Sequence, residues 1–144
     1  MKNIITYIFI FFTFFAFSED IVYIRTFAHL KINAVTFTIE KPGYQISGDE
    51  KPILKNESEI VIKLSVVNDS IEVKSFETIY GRFKTVRFSD VNGNGEMKVK
   101  LINPERKPRI YQDNYIVTNE NGLLKMLNEV KLDNYIAGVV EAES

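Results

Sequence analysis

Residues 60–75 read IVIKLSVVNDSIEVKS, and this stretch decides the fold class. Apolar side chains recur at every second position on both sides of the dipeptide Asn68-Asp69. A period of two places alternate side chains on opposite faces of a strand, and Asn-Asp is a frequent turn sequence. The stretch therefore predicts two strands that are joined by a tight turn and buried on one face only.

The same alternation extends outward from this hairpin in both directions. Further strands are predicted at 22–27, 35–40, 44–47, 80–88, 97–102 and 111–118, and Asn121-Gly122 reads as a hairpin turn. The polar, proline-containing stretch Asp49 to Ser58 is expected to be a mobile loop. We predict an α+β fold that is mostly β: an antiparallel, strand-rich domain with a short C-terminal helix, preceded by an N-terminal signal helix.

The C-terminal region is harder to read. Leu123 to Leu132 suits either a helix face or a strand. Asp133 is a suitable N-cap for a short helix. Because Ile136 to Val140 is almost continuously apolar, that helix is expected to be buried against another element.

The first eighteen residues have the three parts of a secretory signal. Lys2 supplies the positive charge, Ile4 to Phe17 is apolar, and Ala16-Phe17-Ser18 places small residues at the cleavage site. As a helix, the apolar part is about 21 Å long, shorter than the roughly 30 Å hydrocarbon core of a bilayer. We therefore predict a signal peptide at 1–18, one β-rich domain at 19–144, and export to the periplasm or cell envelope. An uncleaved signal that anchors the chain in the membrane is the alternative.

Composition excludes several functional classes. The chain has no cysteine, so lipid attachment through a lipobox, disulfides and thiolate metal sites are all excluded. Its formal net charge is −1, and it becomes −2 when Lys2, the only charge of the signal, is removed. Such a balance gives no electrostatic footprint for nucleic acid. We expect no nucleic-acid partner and no cofactor.

Two features resemble metal sites but have ordinary interpretations. His29 is the only histidine, and one imidazole without cysteine does not make an ordinary zinc site, so a turn histidine is predicted. Asp90 to Gly95 (DVNGNG) matches the first half of a calcium loop, but Leu101 stands at the twelfth position, where a glutamate closes the shell. A hairpin loop is the preferred interpretation and calcium the alternative. No metal site is predicted.

The most informative stretch is 127–144, LNEVKLDNYIAGVVEAES. It resembles the signature N-E-[aliphatic]-x-L-E-x-Y-L-x-G-V-V-x-x-E of the stage II sporulation protein D / LytB (SpoIID/LytB) family. Asn128-Glu129-Val130, Tyr135-Ile136, Gly138-Val139-Val140 and Glu143 match it, whereas Asp133 replaces a glutamate.

The residues before the signature extend the resemblance upstream. The run from Pro108 to Leu123 is similar to the family's R-x-Y-x-G-x-[aliphatic]-x-V and G-L pattern, although Asp113 stands where the family has glycine. The strand pattern from Ile21 to Gly48 is similar to the family's N-terminal section in a weaker way.

This resemblance implies work on peptidoglycan. Family members are exported, and their described activities are lytic cleavage of glycan strands and enhancement of a wall amidase. The resemblance gives Glu143 the role of acid/base, which protonates the glycosidic oxygen and then removes a proton from the sugar's own hydroxyl. One carboxyl serves both steps when burial raises its pKa towards neutrality. Tyr111 and Tyr135 are the candidates for binding sugar rings. Tyrosines on strands, here Tyr80, Tyr111 and Tyr115, could stack on sugars but are more often packing residues.

The family continues beyond the position of Glu143 with the rest of a catalytic domain, whereas this sequence has one further residue. The chain is therefore expected to be the N-terminal portion of such a protein, truncated after the motif glutamate and not catalytic alone. Two alternatives remain open. One is a non-enzymatic exported module that binds peptidoglycan or a wall hydrolase. The other is a lytic transglycosylase completed by a second chain.

Overall fold

The structure is a computed structural model that describes residues 20–76 and 78–143, with side chains described as far as Ala137 in the final helix. The described residues form twelve strands and one helix. These are β1 Ile21–Thr26, β2 Ala34–Ile39, β3 Tyr44–Gly48, β4 Lys51–Lys55, β5 Ile60–Val67, β6 Ser70–Ser75, β7 Thr78–Phe83, β8 Thr85–Asp90, β9 Glu96–Asn103, β10 Arg109–Gln112, β11 Asn114–Glu120, β12 Leu123–Lys131 and α1 Leu132–Glu143.

The strands form two six-stranded sheets in which every neighbouring pair is antiparallel. Sheet A has the order β1-β12-β11-β8-β3-β4, and sheet B has the order β10-β9-β2-β5-β6-β7. The prediction of a mostly β, antiparallel domain with a C-terminal helix is confirmed. The predicted signal peptide at 1–18 lies outside the described residues, and among those described no helix is long and apolar enough to cross a membrane.

The two sheets pack face to face around one apolar core. Phe37 of β2 stacks on Phe88 of β8, with ring centroids 4.2 Å apart. Tyr115 of β11 meets the same Phe37 ring edge to face at 5.2 Å. All three side chains are fully buried, so an aromatic cluster lies within the apolar core between the sheets.

Two predicted strands are each divided between the sheets. The stretch 80–88 was predicted as one strand, but the chain leaves sheet B after β7 and enters sheet A at β8, with Lys84 at the break. The stretch 111–118 divides in the same way at Asp113, whose φ of 63° lies in the left-handed region. No glycine or proline adjoins Lys84 or Asp113, so the strongest local turn signals are absent from both breaks.

The stretch Asp49 to Ser58 is not a loop, and this prediction is wrong. It contains β4, which pairs with β3 at the edge of sheet A. Asn56 then fixes this segment, because its side chain is buried and its amide forms hydrogen bonds with the backbone of Lys41, Gly43, Tyr44 and Ser58. The proline lies on an edge strand, where it removes no internal ladder bond.

The loop from Asp90 to Gly95 is not a hairpin, since it joins β8 of sheet A to β9 of sheet B. The Asp90 carboxylate accepts hydrogen bonds from the backbone amides of Gly93 (3.0 Å) and Gly95 (2.8 Å). A Cβ on Gly95 would lie 2.5 Å from the ring of Tyr44, so this glycine permits a close approach of the loop to the core.

Residues 123–131 resolve as strand β12, and helix α1 follows without a loop. The helix begins at Leu132, so Asp133 lies in its first turn and is not the N-cap that the sequence suggested. A carboxylate there still interacts favourably with the helix dipole. The expected burial is also absent where side chains are described, because Tyr135 is 42% and Ile136 50% exposed.

The hairpin turn at Asn121-Gly122 and the turn position of His29 are confirmed.

Candidate functional site

The stretch that carries the family resemblance forms a single strand-to-helix unit. β12 lies between β1 and β11 in sheet A, and its last residue, Lys131, is followed directly by α1. The backbone amide of Leu132 donates to the carbonyl of Asp20, 2.8 Å away, next to the start of β1. The helix therefore starts at a fixed point on the end of sheet A.

Asn128 holds the corner between β10 and β11. Its side chain is buried, and its Nδ2 donates to the carbonyl oxygens of Gln112 (2.8 Å) and Asn114 (2.9 Å). These carbonyls flank Asp113, the residue at which the chain passes from sheet B to sheet A. Asn128 thus satisfies two backbone acceptors that the corner removes from the strand ladders.

Asp113 connects the same corner to the helix. Its carboxylate accepts from the backbone amide of Lys131 (3.2 Å) and from Nδ2 of Asn134 (3.0 Å), in the first turn of α1. Its backbone carbonyl accepts a 2.8 Å hydrogen bond from the hydroxyl of Tyr44. Because Asp113 is itself buried, these bonds form away from bulk water and fix the helix relative to the corner.

Glu129 lies on the other side of β12, towards the outer face of sheet A. Its Oε1 accepts from Arg87 Nη2 at 2.9 Å and from Asn114 Nδ2 at 3.2 Å. Burial of this carboxyl would raise its pKa. The hydrogen bonds from Arg87 and Asn114, together with the charge of Arg87, outweigh burial and hold the pKa of Glu129 below its ordinary value. We refer to Asp113, Asn128, Glu129 and Asn134 as the helix anchor.

A small polar pocket of about 90 Å³ lies beside the anchor. Three carboxylates line it, those of Asp90, Asp113 and Glu129, and Lys131 lies at the same wall. Asp90 accepts hydrogen bonds with both of its oxygens and Glu129 with one. Asp113 also accepts with both, since Asn134 Nδ2 lies 3.3 Å from Oδ1 as well as 3.0 Å from Oδ2. Over 20–76 and 78–143, no group of three acidic or histidine side chains is arranged to hold a metal ion. The carboxylates of Asp90 and Asp113 bind backbone amides beside the pocket, whereas Glu129 binds the side chains of Arg87 and Asn114.

The two tyrosines proposed for glycan binding have different surroundings. Tyr111 is half-buried on β10, where its ring meets Phe27 at 6.2 Å and Tyr115 at 5.4 Å. Burial raises the pKa of Tyr111, and Arg109 partly opposes that rise. Tyr135 is largely exposed on α1. The first tyrosine is a packing residue at the edge of the core, so of the two only Tyr135 presents its ring as a stacking platform would.

Glu143 is the last residue of α1. The helix anchor fixes the other end of this helix, at Leu132 to Asn134. The described side chains along its first turns, at Asp133 to Ala137, are exposed, so the sandwich builds no apolar wall around that part of the helix. The side chain of Glu143 lies outside those described.

Sequence reasoning placed Asn128 and Glu129 in a motif without giving them roles, and it did not find Arg87 or Asp113 as their partners. The sequence did hold one signal for Asp113, because this residue stands where the family pattern has glycine. A glycine position can indicate a left-handed backbone, and Asp113 adopts that conformation. No sequence pattern pairs Arg87 with Glu129, which lies in another strand 42 residues away.

The pH dependence of stability tests the role of Glu129. We expect Glu129→Gln to lower the free energy of unfolding by about 1–3 kcal/mol at pH 7, because it replaces a charge-assisted bond to Arg87. A lowered pKa in the folded state contributes stability that is present above the ordinary value of 4.5 and is lost as the pH falls through the folded pKa. Urea denaturation of the wild type and of Glu129→Gln from pH 7 to pH 3 measures the difference between their free energies of unfolding. This difference should be constant at first and should close below pH 4.5.

Glu120→Gln is the matched control. Glu120 is 55% exposed and lies 3.7 Å from Lys125, so its loss should change stability by no more than about 0.5 kcal/mol at any pH. A gap for Glu129→Gln that is independent of pH would contradict the assigned pair.

Comparison of the chain with models of protein families, with characterised proteins and with solved structures finds no match.

Proposed function

We propose that this chain is an exported protein that associates with peptidoglycan and does not cleave glycan strands by itself. The proposal rests on the resemblance of residues 127–143 to the SpoIID/LytB signature. The observation that carries it is that these residues form one anchored unit, in which Asn128 and Glu129 of the signature hold the end of sheet A from which the helix starts.

The conformation of the corner residue also supports the proposal. Asp113 stands where the family pattern has glycine, and its φ of 63° is a conformation that glycine adopts readily. The substitution retains the backbone shape that the pattern implies. It also adds a carboxylate that binds the amide of Lys131 and the side chain of Asn134.

The surroundings of the first turns of α1 support the proposal that the chain does not cleave glycan strands by itself. An acid/base that serves both steps of lytic cleavage needs a raised pKa, and burial in an apolar wall is the usual cause. The first turns of α1 face solvent, including the apolar side chains of Tyr135 and Ile136. A second polypeptide that covers this side of the helix would supply the missing wall.

Sedimentation with purified, protein-free sacculi tests the proposal. We expect the purified chain to pellet with sacculi and to remain in the supernatant with chitin, which has a similar sugar backbone but no peptides. Glu143→Gln should bind as the wild type does, because binding does not need a working acid. Recovery of the chain in the supernatant of both polymers would refute association with the wall.

The exposed apolar residues favour one alternative, a module that binds a wall hydrolase. Tyr135 and Ile136 offer an exposed aromatic and an exposed aliphatic side chain at consecutive positions near the start of α1. In that case protein-free sacculi should not retain the chain, and retention should appear only when a wall hydrolase is added. Tyr135→Ala/Ile136→Ala should then abolish it.

A further inference from the structure

Lysines are gathered on the outer face of sheet B. In β9, β2, β5 and β6 the residues Lys100, Thr36, Lys63 and Lys74 are direct cross-strand neighbours, in that order. We call these four residues the lysine row. With strands about 4.8 Å apart, the row extends over about 14 Å. The chain as a whole has a formal net charge of −1, so this face differs from the average surface.

The lysine row is unfavourable for the fold itself. Lys63 and Lys74 are directly opposite each other on adjacent strands, and like charges in that arrangement repel. In the described part of the chain, none of the three lysines forms an ion pair with an acidic side chain. The neighbouring acids have other partners, since Glu72 pairs with Arg82 at 3.6 Å and Glu40 with Lys98 at 3.7 Å.

A basic pocket continues the lysine row at one end. An open pocket of about 430 Å³ is lined by Lys100, Glu105, Arg106, Lys107 and Pro108. Lys100 therefore belongs both to the row and to this pocket. The Arg106 guanidinium donates to the carbonyl of Glu105 at 2.8 Å, which holds it at the pocket. Together, the row and the pocket carry five cationic side chains and one carboxylate, that of Glu105, and we call them the positive strip.

We infer that this strip is an electrostatic docking surface for the carboxylate groups on the stem peptides of peptidoglycan. A row of ammonium groups matches a polymer that carries repeated carboxylates. The hydroxyl of Thr36, between Lys100 and Lys63, donates to the backbone carbonyl of Lys100 at 3.4 Å, so the lysines alone supply the contacts to the polymer. The choice of peptidoglycan as the polymer rests on the proposed function. The complementarity to carboxylates rests on the lysines alone.

Charge reversal in the row tests the inference. Lys63→Glu/Lys74→Glu should reduce the affinity for purified sacculi by roughly tenfold or more at low salt, because each substitution replaces an attraction with a repulsion. Lys51→Glu/Lys55→Glu is the matched control, because it changes the net charge equally on β4, at the exposed edge of the other sheet. Its affinity for sacculi should stay within about twofold of that of the wild type. Binding of the wild type should fall between 20 mM and 200 mM salt.

A stability measurement separates docking from a structural role. Lys74→Glu places opposite charges across β5 and β6, so it should raise the melting temperature while it weakens binding to sacculi. A variant that loses both stability and binding would show that the lysines support the fold, and would overturn the inference.

Two further probes distinguish this inference from the proposed function. Sacculi whose carboxyls have been converted to neutral amides should lose most of their binding to the wild type. If the wild type binds native and amidated sacculi equally, and the lysine variant binds as well as the wild type, association with the wall stands and the docking surface is wrong. If the wild type binds polyglutamate through these lysines but binds no sacculi, peptidoglycan is the wrong occupant and the proposed function fails with it.

Discussion

Phe37→Ala is expected to lower the free energy of unfolding by about 3–5 kcal/mol. Phe37 is fully buried, stacks on Phe88 at 4.2 Å and meets Tyr115 at 5.2 Å, so its ring joins sheet B to two strands of sheet A. Truncation removes both aromatic contacts and leaves a cavity between sheets that cannot close without moving strands. Urea denaturation followed by circular dichroism measures the loss.

Phe76→Ala is the control for this prediction. It removes the same atoms from a side chain that is 85% exposed in the turn between β6 and β7, so the stability should change by less than about 0.5 kcal/mol. Similar losses for the two variants would mean that Phe37 is not at the interface between the sheets.

Asn56→Ala is expected to cost about 2–4 kcal/mol, the largest effect we predict for a polar residue. The side-chain oxygen accepts from the amides of Gly43 (3.1 Å) and Tyr44 (2.8 Å). Its nitrogen donates to the carbonyls of Lys41 (2.8 Å) and Ser58 (3.2 Å). Because Asn56 is buried, its removal leaves these backbone groups without partners in a place that water reaches poorly.

Hydrogen exchange locates this effect. The amide of Tyr44 should lose protection in Asn56→Ala, whereas Asn94→Ala, at an exposed asparagine of another loop, should leave both stability and exchange at Tyr44 unchanged. Normal protection of Tyr44 in Asn56→Ala would contradict the assigned bonds.

The sequence predicts the strands well where a period of two is interrupted by recognisable turn residues. β5 and β6 meet at Asn68-Asp69, and β11 and β12 meet at Asn121-Gly122, and both hairpins are present. Asn121 and Gly122 have φ values of 56° and 80°, which is the left-handed geometry that an Asn-Gly pair favours.

The sequence fails where the chain changes sheets without a turn signal. Lys84 and Asp113 each divide one predicted strand, and no glycine or proline adjoins either residue. Each corner is fixed by hydrogen bonds to residues that are distant in the sequence. The backbone amide of Lys84 is bound by the Asp49 carboxylate at 2.9 Å, and the corner at Asp113 is held by Asn128. Partners that are tens of residues away leave no local pattern.

The candidate site also has a part that the sequence predicts and a part that it does not. The motif stretch could be placed near a helix from its sequence, because Asp133 and the apolar run after it are local signals. The helix anchor could not be predicted, because it depends on the register of β12 with β11, which brings Glu129 opposite Asn114. A shift of one residue would move Asn128 to the outer face and Glu129 towards the core. The hydrogen bonds of the helix anchor therefore depend on the observed register of sheet A.

The anchor also explains why charged and amide side chains are tolerated at the end of this sheet. Asp113, Asn128 and Glu129 are all buried, and each has hydrogen-bond partners in the backbone or in Arg87 and Asn114. A satisfied polar network of this kind fixes one geometry, whereas an apolar junction would allow the helix to settle in several. The direction of the helix is thus set by specific bonds.

The most direct test of the central claim uses sacculi that carry a covalently attached dye. Incubation with the purified chain should leave the dye in the pellet and bring the protein down with it, which is the behaviour of a wall-associated protein that does not cleave glycan alone. Release of soluble dye by the wild type, abolished in Glu143→Gln, would contradict the account and show that this helix already carries a working acid.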